Sequence, residues 1–246
     1  MLENKYIVVT GANRGIGKAI TKCFIEKNAN VYALVRDVKK LENLKNELKD
    51  NDKKRLIPVQ CDLSNEESVK NAAKEIISYK NPIDTIVNNA GVSFPNSVFN
   101  MTSMQQVKDA FQVNFFSPLY LTQILSKYML RNSNSGKSII FVSSTAAFDG
   151  GNNIEYTASK AAIIGAVRRL AIEYGAFGIR VNAIAPGFTD TDMASGQSEE
   201  LFKIAMENNI IKRKANPKEI AETIAFLASE NANYITGQVI KVSGNI

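Results

Sequence analysis

A chain of 246 residues, 45% hydrophobic and 22% charged, is long enough for one α/β domain with a large core and short for two. Its net charge of +6 suits a phosphate-bearing or acidic partner, but the excess of Lys and Arg is spread along the chain, which disfavours nucleic acid. The absence of histidine excludes a Ser-His-Asp triad, a histidine base and histidine-ligated metal.

The N-terminal MLENK runs straight into an apolar stretch with no signal-peptide core, and no apolar run is long enough to span a membrane, so a cytoplasmic protein is expected. Tyr6–Val9 reads as the first strand. Thr10-Gly11-Ala12-Asn13-Arg14-Gly15-Ile16-Gly17 follows it, and then an amphipathic helix over Ile16–Lys27. Cys23, on that helix, and the distant Cys61 share no CxxC spacing; they read as buried thiols of a reducing compartment, and no metal site is expected. Gly11 permits a tight turn, Gly15 lets backbone approach a pyrophosphate, and Gly17 lets helix and strand pack closely. The helix N-terminus offers free N–H groups and a positive dipole end to phosphates. The spacing is G-x-x-x-G-x-G, with no Gly-Lys-Ser/Thr of a P-loop.

The second strand, Val31–Val35, ends in Arg36-Asp37, where an NAD-binding domain places a carboxylate on the ribose hydroxyls. Either Arg36 joins Arg14 in clamping a 2′-phosphate, with Asp37 turned away into the Val38–Leu48 helix, or Arg36 is a solvated residue and Asp37 holds the ribose. The basic stretch Lys39–Arg55 reads as a solvated helix face and turn. Next come a strand at Leu56–Val59, a helix at Glu66–Ile77 and a strand at Thr85–Val87 that ends in Asn88-Asn89-Ala90-Gly91, whose amides can pin the glycine loop. A long helix over Met104–Leu130 contains Asn114. The fifth strand, Ser138–Val142, presents the hydroxyls of Ser143 and Ser144 at its end.

The helix Glu155–Tyr174 carries Tyr156 and Lys160, four residues apart and therefore on one face. A nearby ammonium lowers a tyrosine pKa, and with no histidine present a lysine-assisted tyrosine is the acid/base pair left to this chain. Arg180–Ala183 is a strand ending in Ala185-Pro186-Gly187-Phe188; a helix at Pro217–Ser229 and a strand at Val239–Val242 close the chain. Such β-α alternation, with strands apolar almost throughout, implies a single domain over residues 1–246. Its doubly wound parallel sheet has about seven strands, helices on both faces, and a ligand crevice at the C-terminal strand ends. Specificity is expected in Ser93–Val98, Ala146–Asn153 and Asp190–Ile211, with Asp192–Met206 as a lid helix on a Gly-Gln-Ser hinge. Apolar positions along Val107–Leu125 and Ala161–Leu170 exceed what one sheet face needs, so contacts with a second subunit are expected.

Thr10–Gly17, Asp62-Leu63, Asn88–Gly91, Asn114, Ser144, Tyr156-x-x-x-Lys160 and Pro186-Gly187 stand in the order of the short-chain dehydrogenases/reductases, and over essentially its whole length the chain resembles the compact, Rossmann-type form of that family. The resemblance implies hydride transfer between NADP(H) and a ketone or secondary alcohol. It makes Tyr156 the acid that protonates the carbonyl oxygen and Lys160 the group that lowers its pKa and holds the nicotinamide ribose. It makes Ser144 the hydrogen-bond partner of the substrate oxygen and Asn114 the support of a water relay. It places Asp62 on adenine, Asn89 on the adenosine ribose side, and Thr189 and Thr191 at the nicotinamide end. Asn13, Ile16, Leu63, Ala90, Gly91, Pro186 and Gly187 complete the cofactor set, and a homotetramer or dimer is implied.

Two departures stand out. The loop from Ser144 to Tyr156 is one residue shorter than the family's, and Ser143 restores the spacing, so both serines remain candidates. The tail from Asn216 to Gly237 is similar to that of β-ketoacyl-[acyl-carrier-protein] reductases, yet Phe177 stands where those carry an arginine for the carrier. The expected activity is reduction of a ketone, with an acyl thioester first among substrates. A dehydrogenase of a sugar, steroid or other secondary alcohol is the alternative within the family. A nucleotide-sensing or scaffold protein is the non-enzymatic one, since fold does not fix function.

Overall fold

The strand runs alternate their contacts between two cores, and this fixes the layers. In β1 (Tyr6–Thr10), Ile7 and Val9 face one hydrophobic cluster while Val8 faces the other. The same division holds in β2 (Asn30–Val35), where Val31, Ala33 and Val35 oppose Tyr32 and Leu34. The computed structural model describes residues 2–94, 98–131, 136–191 and 209–245. Within them β3 (Leu56–Gln60), β4 (Thr85–Asn88), β5 (Lys137–Val142), β6 (Ile179–Pro186) and β7 (Val239–Val242) complete a sheet of order β3-β2-β1-β4-β5-β6-β7. Every neighbouring pair in it is parallel. The chain builds outward from β1 to β3, then crosses back to set β4 on the other side of β1, so the crevice of a doubly wound sheet opens between β1 and β4.

The helices divide by face. Against the first cluster pack α1 (Gly15–Glu26) and α9 (Pro217–Ala228), through Ile20, Phe24, Ile220 and Ile224. Against the second pack α4 (Glu66–Ser78), α6 (Ser117–Arg131) and α8 (Ile154–Gly175), through Val69, Leu121, Leu125, Ile163 and Val167. Asn216 and Glu219 form a capping box at α9, with Pro217 at its first position, which sets that helix's start.

Two expected helices are broken. Val38–Leu48 is a 3₁₀ turn over Val38–Leu41, then α2 (Glu42–Glu47), with a further single turn, α3 (Asp50–Lys53). Leu41, Leu44 and Leu48 still reach the core, but Asp50, Asn51 and Asp52 favour local turns over continued helix. The expected helix over Met104–Leu130 comprises α5 (Met104–Phe111), a π-helical turn at Gln112–Phe116, and α6. Pro118 supplies the reason: it has no N–H for the carbonyl of Asn114, and its ring would clash with that carbonyl in a regular helix. The expected lid helix Asp192–Met206 lies outside the described residues, as do 95–97 of the expected Ser93–Val98 wall.

Candidate active site

At the end of β1 the backbone must reverse at once. Gly11 does so with φ of +68°, and Gly15 opens α1 with φ of +51°. Gly17 is required for a different reason: a Cβ there would lie 2.0 Å from the Gly11 carbonyl oxygen. Arg14 is the N-cap of α1 yet makes no side-chain capping bond, so the first N–H groups of the helix face the cleft without one. The loop is pinned from β4. Asn89 donates through Nδ2 to the Thr10 carbonyl at 2.9 Å, and the N–H groups of Asn89 and Ala90 both donate to the Thr10 hydroxyl at 3.0 Å.

On the β2–β3 side, Asp37 does turn away. Its Oδ1 accepts from the N–H of Lys39 at 3.0 Å, capping the 3₁₀ turn, and leaves Arg36 exposed beside the cleft. Burial works to raise the Asp62 pKa, but the N–H and hydroxyl of Ser64, with help from the Arg36 charge, outweigh it and hold the carboxyl below its usual range. Leu63 is buried behind it and its carbonyl accepts from the Ser117 hydroxyl at 2.6 Å.

The helix α8 carries Tyr156 and Lys160 to the ends of β4 and β5. The Lys160 ammonium is buried, donates to the Val142 carbonyl at 2.8 Å and lies 5.7 Å from the Tyr156 ring centre. Desolvation brings its pKa down from 10.5 to about 8. The expectation that Lys160 depresses the tyrosine pKa is corrected here. Burial raises Tyr156 above its ordinary value, and the opposing pull comes from a hydrogen bond with Ser144. The lysine is itself desolvated and makes its hydrogen bond to the Val142 carbonyl.

The two candidate serines part company. Ser143 is buried and donates to the Lys160 carbonyl at 2.8 Å, tying β5 to α8. Ser144 is half-buried, accepts from the N–H of Ala146 at 3.2 Å and meets Tyr156. Asn114 stands apart: alone among the expected site residues it does not line the cleft. It is buried behind Gly91, its Oδ1 accepting from the N–H of Val92 at 2.7 Å and its Nδ2 donating to the Val92 carbonyl and the Ser159 hydroxyl, both at 2.9 Å. A Cβ at Gly91 would lie 3.2 Å from both Asn114 Oδ1 and Lys160 Nζ, so the absent side chain permits this packing.

Beyond β6 the carbonyl of Pro186 accepts from Thr145, and Gly187 donates to Val242 at 3.0 Å. The Thr189 hydroxyl donates to the Gly187 carbonyl at 2.9 Å. The Thr191 side chain comes within 3.2 Å of where a Cβ on Gly15 would sit, which closes the cleft over the glycine loop. The open cleft has a volume of about 1150 Å³. Asn13, Arg14, Ile16, Arg36, Asp62, Ala90, Ser144, Tyr156, Thr189 and Thr191 all open onto it. Phe148, on the single turn α7 (Ala146–Asp149), and Asn152, both within the expected Ala146–Asn153 wall, line it too. Lys241, Ser243 and Asn245 were missed. The signal for them was available: a parallel β7 must deliver its end to the same edge as the other six strands.

Residues 11–244 match the family described as enoyl-(acyl carrier protein) reductase. The chain is 36% identical over 246 residues to a 3-oxoacyl-[acyl-carrier-protein] reductase of Staphylococcus epidermidis, covering 99% of both chains. It superimposes with a TM-score of 0.90 on the NADH complex of a 3-ketoacyl-(acyl-carrier-protein) reductase from Brucella melitensis, 27% identical, covering 99% of this chain and 98% of that one. With a TM-score of 0.91 and 31% identity it also matches a putative NAD(P)-dependent gluconate 5-dehydrogenase from Beutenbergia cavernae with bound NADP, covering 99% and 96%.

Proposed function

The chain belongs to the short-chain dehydrogenase/reductase family, and from that premise we propose that it is an NADP(H)-dependent oxidoreductase that reduces the ketone of a 3-oxoacyl thioester. The observation that carries this reading is the meeting of Ser144, Tyr156 and Lys160 at the edge of a cleft whose far end is a glycine cradle.

The residues present fit a dinucleotide. Gly17 tolerates no side chain, and the start of α1 has no side-chain cap. Gly11, Asn13, Arg14, Gly15, Ile16 and Gly17 would hold the pyrophosphate, and Arg14 with Arg36 the 2′-phosphate. Asp62 and Leu63 would hold the adenine, Asn89, Ala90 and Gly91 the adjoining ribose. Lys160, Pro186, Gly187, Thr189 and Thr191 would hold the nicotinamide end. When bound, the nicotinamide supplies the hydride that the carbonyl carbon accepts.

Tyr156 gives its phenolic proton to the carbonyl oxygen. A pKa raised by burial keeps that proton in place at neutral pH, which suits the reductive direction. Ser144 donates to the same oxygen. Lys160, titrating near 8, is largely an ammonium at neutral pH and would hold the nicotinamide ribose. The Asn114 side chain is committed to Val92 and Ser159, so its part in a water relay falls to the carbonyl that Pro118 leaves without its helical donor.

The whole chain is taken as one dinucleotide-binding domain of a cytoplasmic homotetramer or dimer. In support, no helix among the described residues is long and apolar enough to cross a membrane, and Phe116 remains 51% exposed on the Val107–Leu125 stretch. A second reading, oxidation of a sugar-like secondary alcohol, draws on the gluconate dehydrogenase-type relative and on Phe177, 65% exposed where a carrier-binding cation was expected. The purified protein should be offered acetoacetyl thioesters and a panel of secondary alcohols with NADPH, NADP, NADH and NAD, followed at the nicotinamide absorbance. Thioester reduction with NADPH is expected. Activity confined to alcohols would select the second reading, and no turnover at all would favour a non-catalytic role.

A further inference from the structure

The strand order is a ruler along the cleft. Arg14, Arg36 and Lys40 stand at its β1–β2 end, and Lys160 is committed to Val142 at its centre. Lys241, on β7, stands at the opposite end. The acidic groups lining the cleft are already engaged: Asp37, Asp62 and Asp149 accept from the backbone N–H groups of Lys39, Ser64 and Gly151. Among the described residues Lys241 has no carboxylate partner. Its ammonium lies 4.8 Å from the ring centre of Phe148, which is itself 47% exposed.

Side-chain alternation decides where Lys241 points. Ile240 and Val242 pack into the cluster beneath α1 and α9, whereas Val239 packs on the α8 side, and Lys241 shares that side with Val239. Register decides how far it is from the chemistry. Val142 is level with Ile184, and Ala185 with Lys241, so Lys241 is level with Ser143. Two strand spacings separate β5 from β7, about 10 Å. A lysine stem reaching back over Phe148 brings its ammonium to roughly 5–10 Å from the carbonyl that Ser144 and Tyr156 face.

We propose that Lys241 and Phe148 form a substrate subsite for an anionic group, a carboxylate or a phosphate ester, carried about four to eight bonds from the reacting carbonyl at roughly 1.2 Å of advance per bond. The ring supports the intervening chain and the ammonium receives the anion. The proposal refines the substrate of the reductase reading and rests on it.

The test compares 5-oxohexanoate with 5-oxohexanamide, and a matched oxoalkyl phosphate with its alcohol, in wild type, Lys241→Gln and Lys241→Arg. For turnover with NADPH, wild type should prefer an anion over its neutral partner by about tenfold in kcat/KM, mostly through KM. Lys241→Gln should bring that ratio near one, and Lys241→Arg should keep it. The larger of the two preferences identifies carboxylate or phosphate as the source. Calorimetric binding of the same pairs to the NADP-saturated protein reads the preference without catalysis. A Lys241-dependent preference in binding, with neither these ketones nor an acetoacetyl thioester control reduced, would overturn the reductase reading and leave the subsite standing. Equal handling of anion and neutral partner by wild type, or a preference that survives Lys241→Gln, would overturn the subsite.

Discussion

Burial holds the Lys160 pKa near 8 instead of 10.5, and this has a measurable consequence for stability. The folded-state pKa is depressed. Below about pH 8 both folded and unfolded chains keep the proton, and the folded one carries the desolvation cost. As pH rises above 8 the folded lysine loses its proton first, the unfolded chain then binds more protons, and stability rises with pH until the unfolded lysine titrates as well. The gap between about 8 and 10.5 corresponds to ~3 kcal/mol, of which about 2.5 kcal/mol is recovered between pH 7 and pH 10. Cys23 and Cys61 act with the opposite sign, because burial pushes both thiols up to about 12, so the wild-type curve alone is a sum. Lys160→Met shares every other group and removes this one. Urea unfolding of both proteins, followed by circular dichroism from pH 7 to pH 10, isolates the lysine. Wild type should gain about 2.5 kcal/mol on the variant across that range. Curves that stay parallel within ~1 kcal/mol would show that Lys160 titrates as a solvated lysine and that its burial has been misjudged.

Activity should follow the same group: kcat/KM for ketone reduction is expected to fall as pH rises through about 8, a limb that a pH–rate profile would show. Tyr156→Phe should remove most turnover, by roughly 10²–10⁴-fold, while titration of NADPH fluorescence shows cofactor affinity nearly intact. Ser144→Ala should cut kcat/KM strongly. Ser143→Ala, which deletes the buried bond to the Lys160 carbonyl, should instead lower the unfolding midpoint by an amount equivalent to about 1–2 kcal/mol; the reverse ranking would exchange their roles. Arg36→Ala should move the NADPH/NADH ratio of kcat/KM toward one by at least tenfold, and an unmoved ratio would make Arg36 a solvated bystander.

What could be read along the chain was whatever depends on near neighbours. The apolar β-α alternation, the glycines before α1 and the Tyr156-x-x-x-Lys160 spacing follow from backbone sterics and helical period, and the structure brings those residues to one sheet edge. Gly17 could be singled out because strand, turn and helix leave it against Gly11 within six residues. Asp37 could be anticipated as a cap for the same local reason. Other features needed the third dimension. One hydroxyl of the Ser143-Ser144 pair ties β5 to the α8 backbone and the other faces Tyr156; which does which depends on how α8 packs over the end of β5, and loop length misreported it. The π-turn that sinks Asn114 behind Gly91 arises where Pro118 meets a closely packed sheet edge. The Tyr156 pKa is raised where a lowering by Lys160 was expected, because it is set by exclusion of water, to which residues distant in sequence all contribute. Lys241 reaches Phe148 only because β7 closes the sheet beside β6. Backbone geometry is a local property and can be read residue by residue; burial and adjacency across strands belong to the assembled sheet.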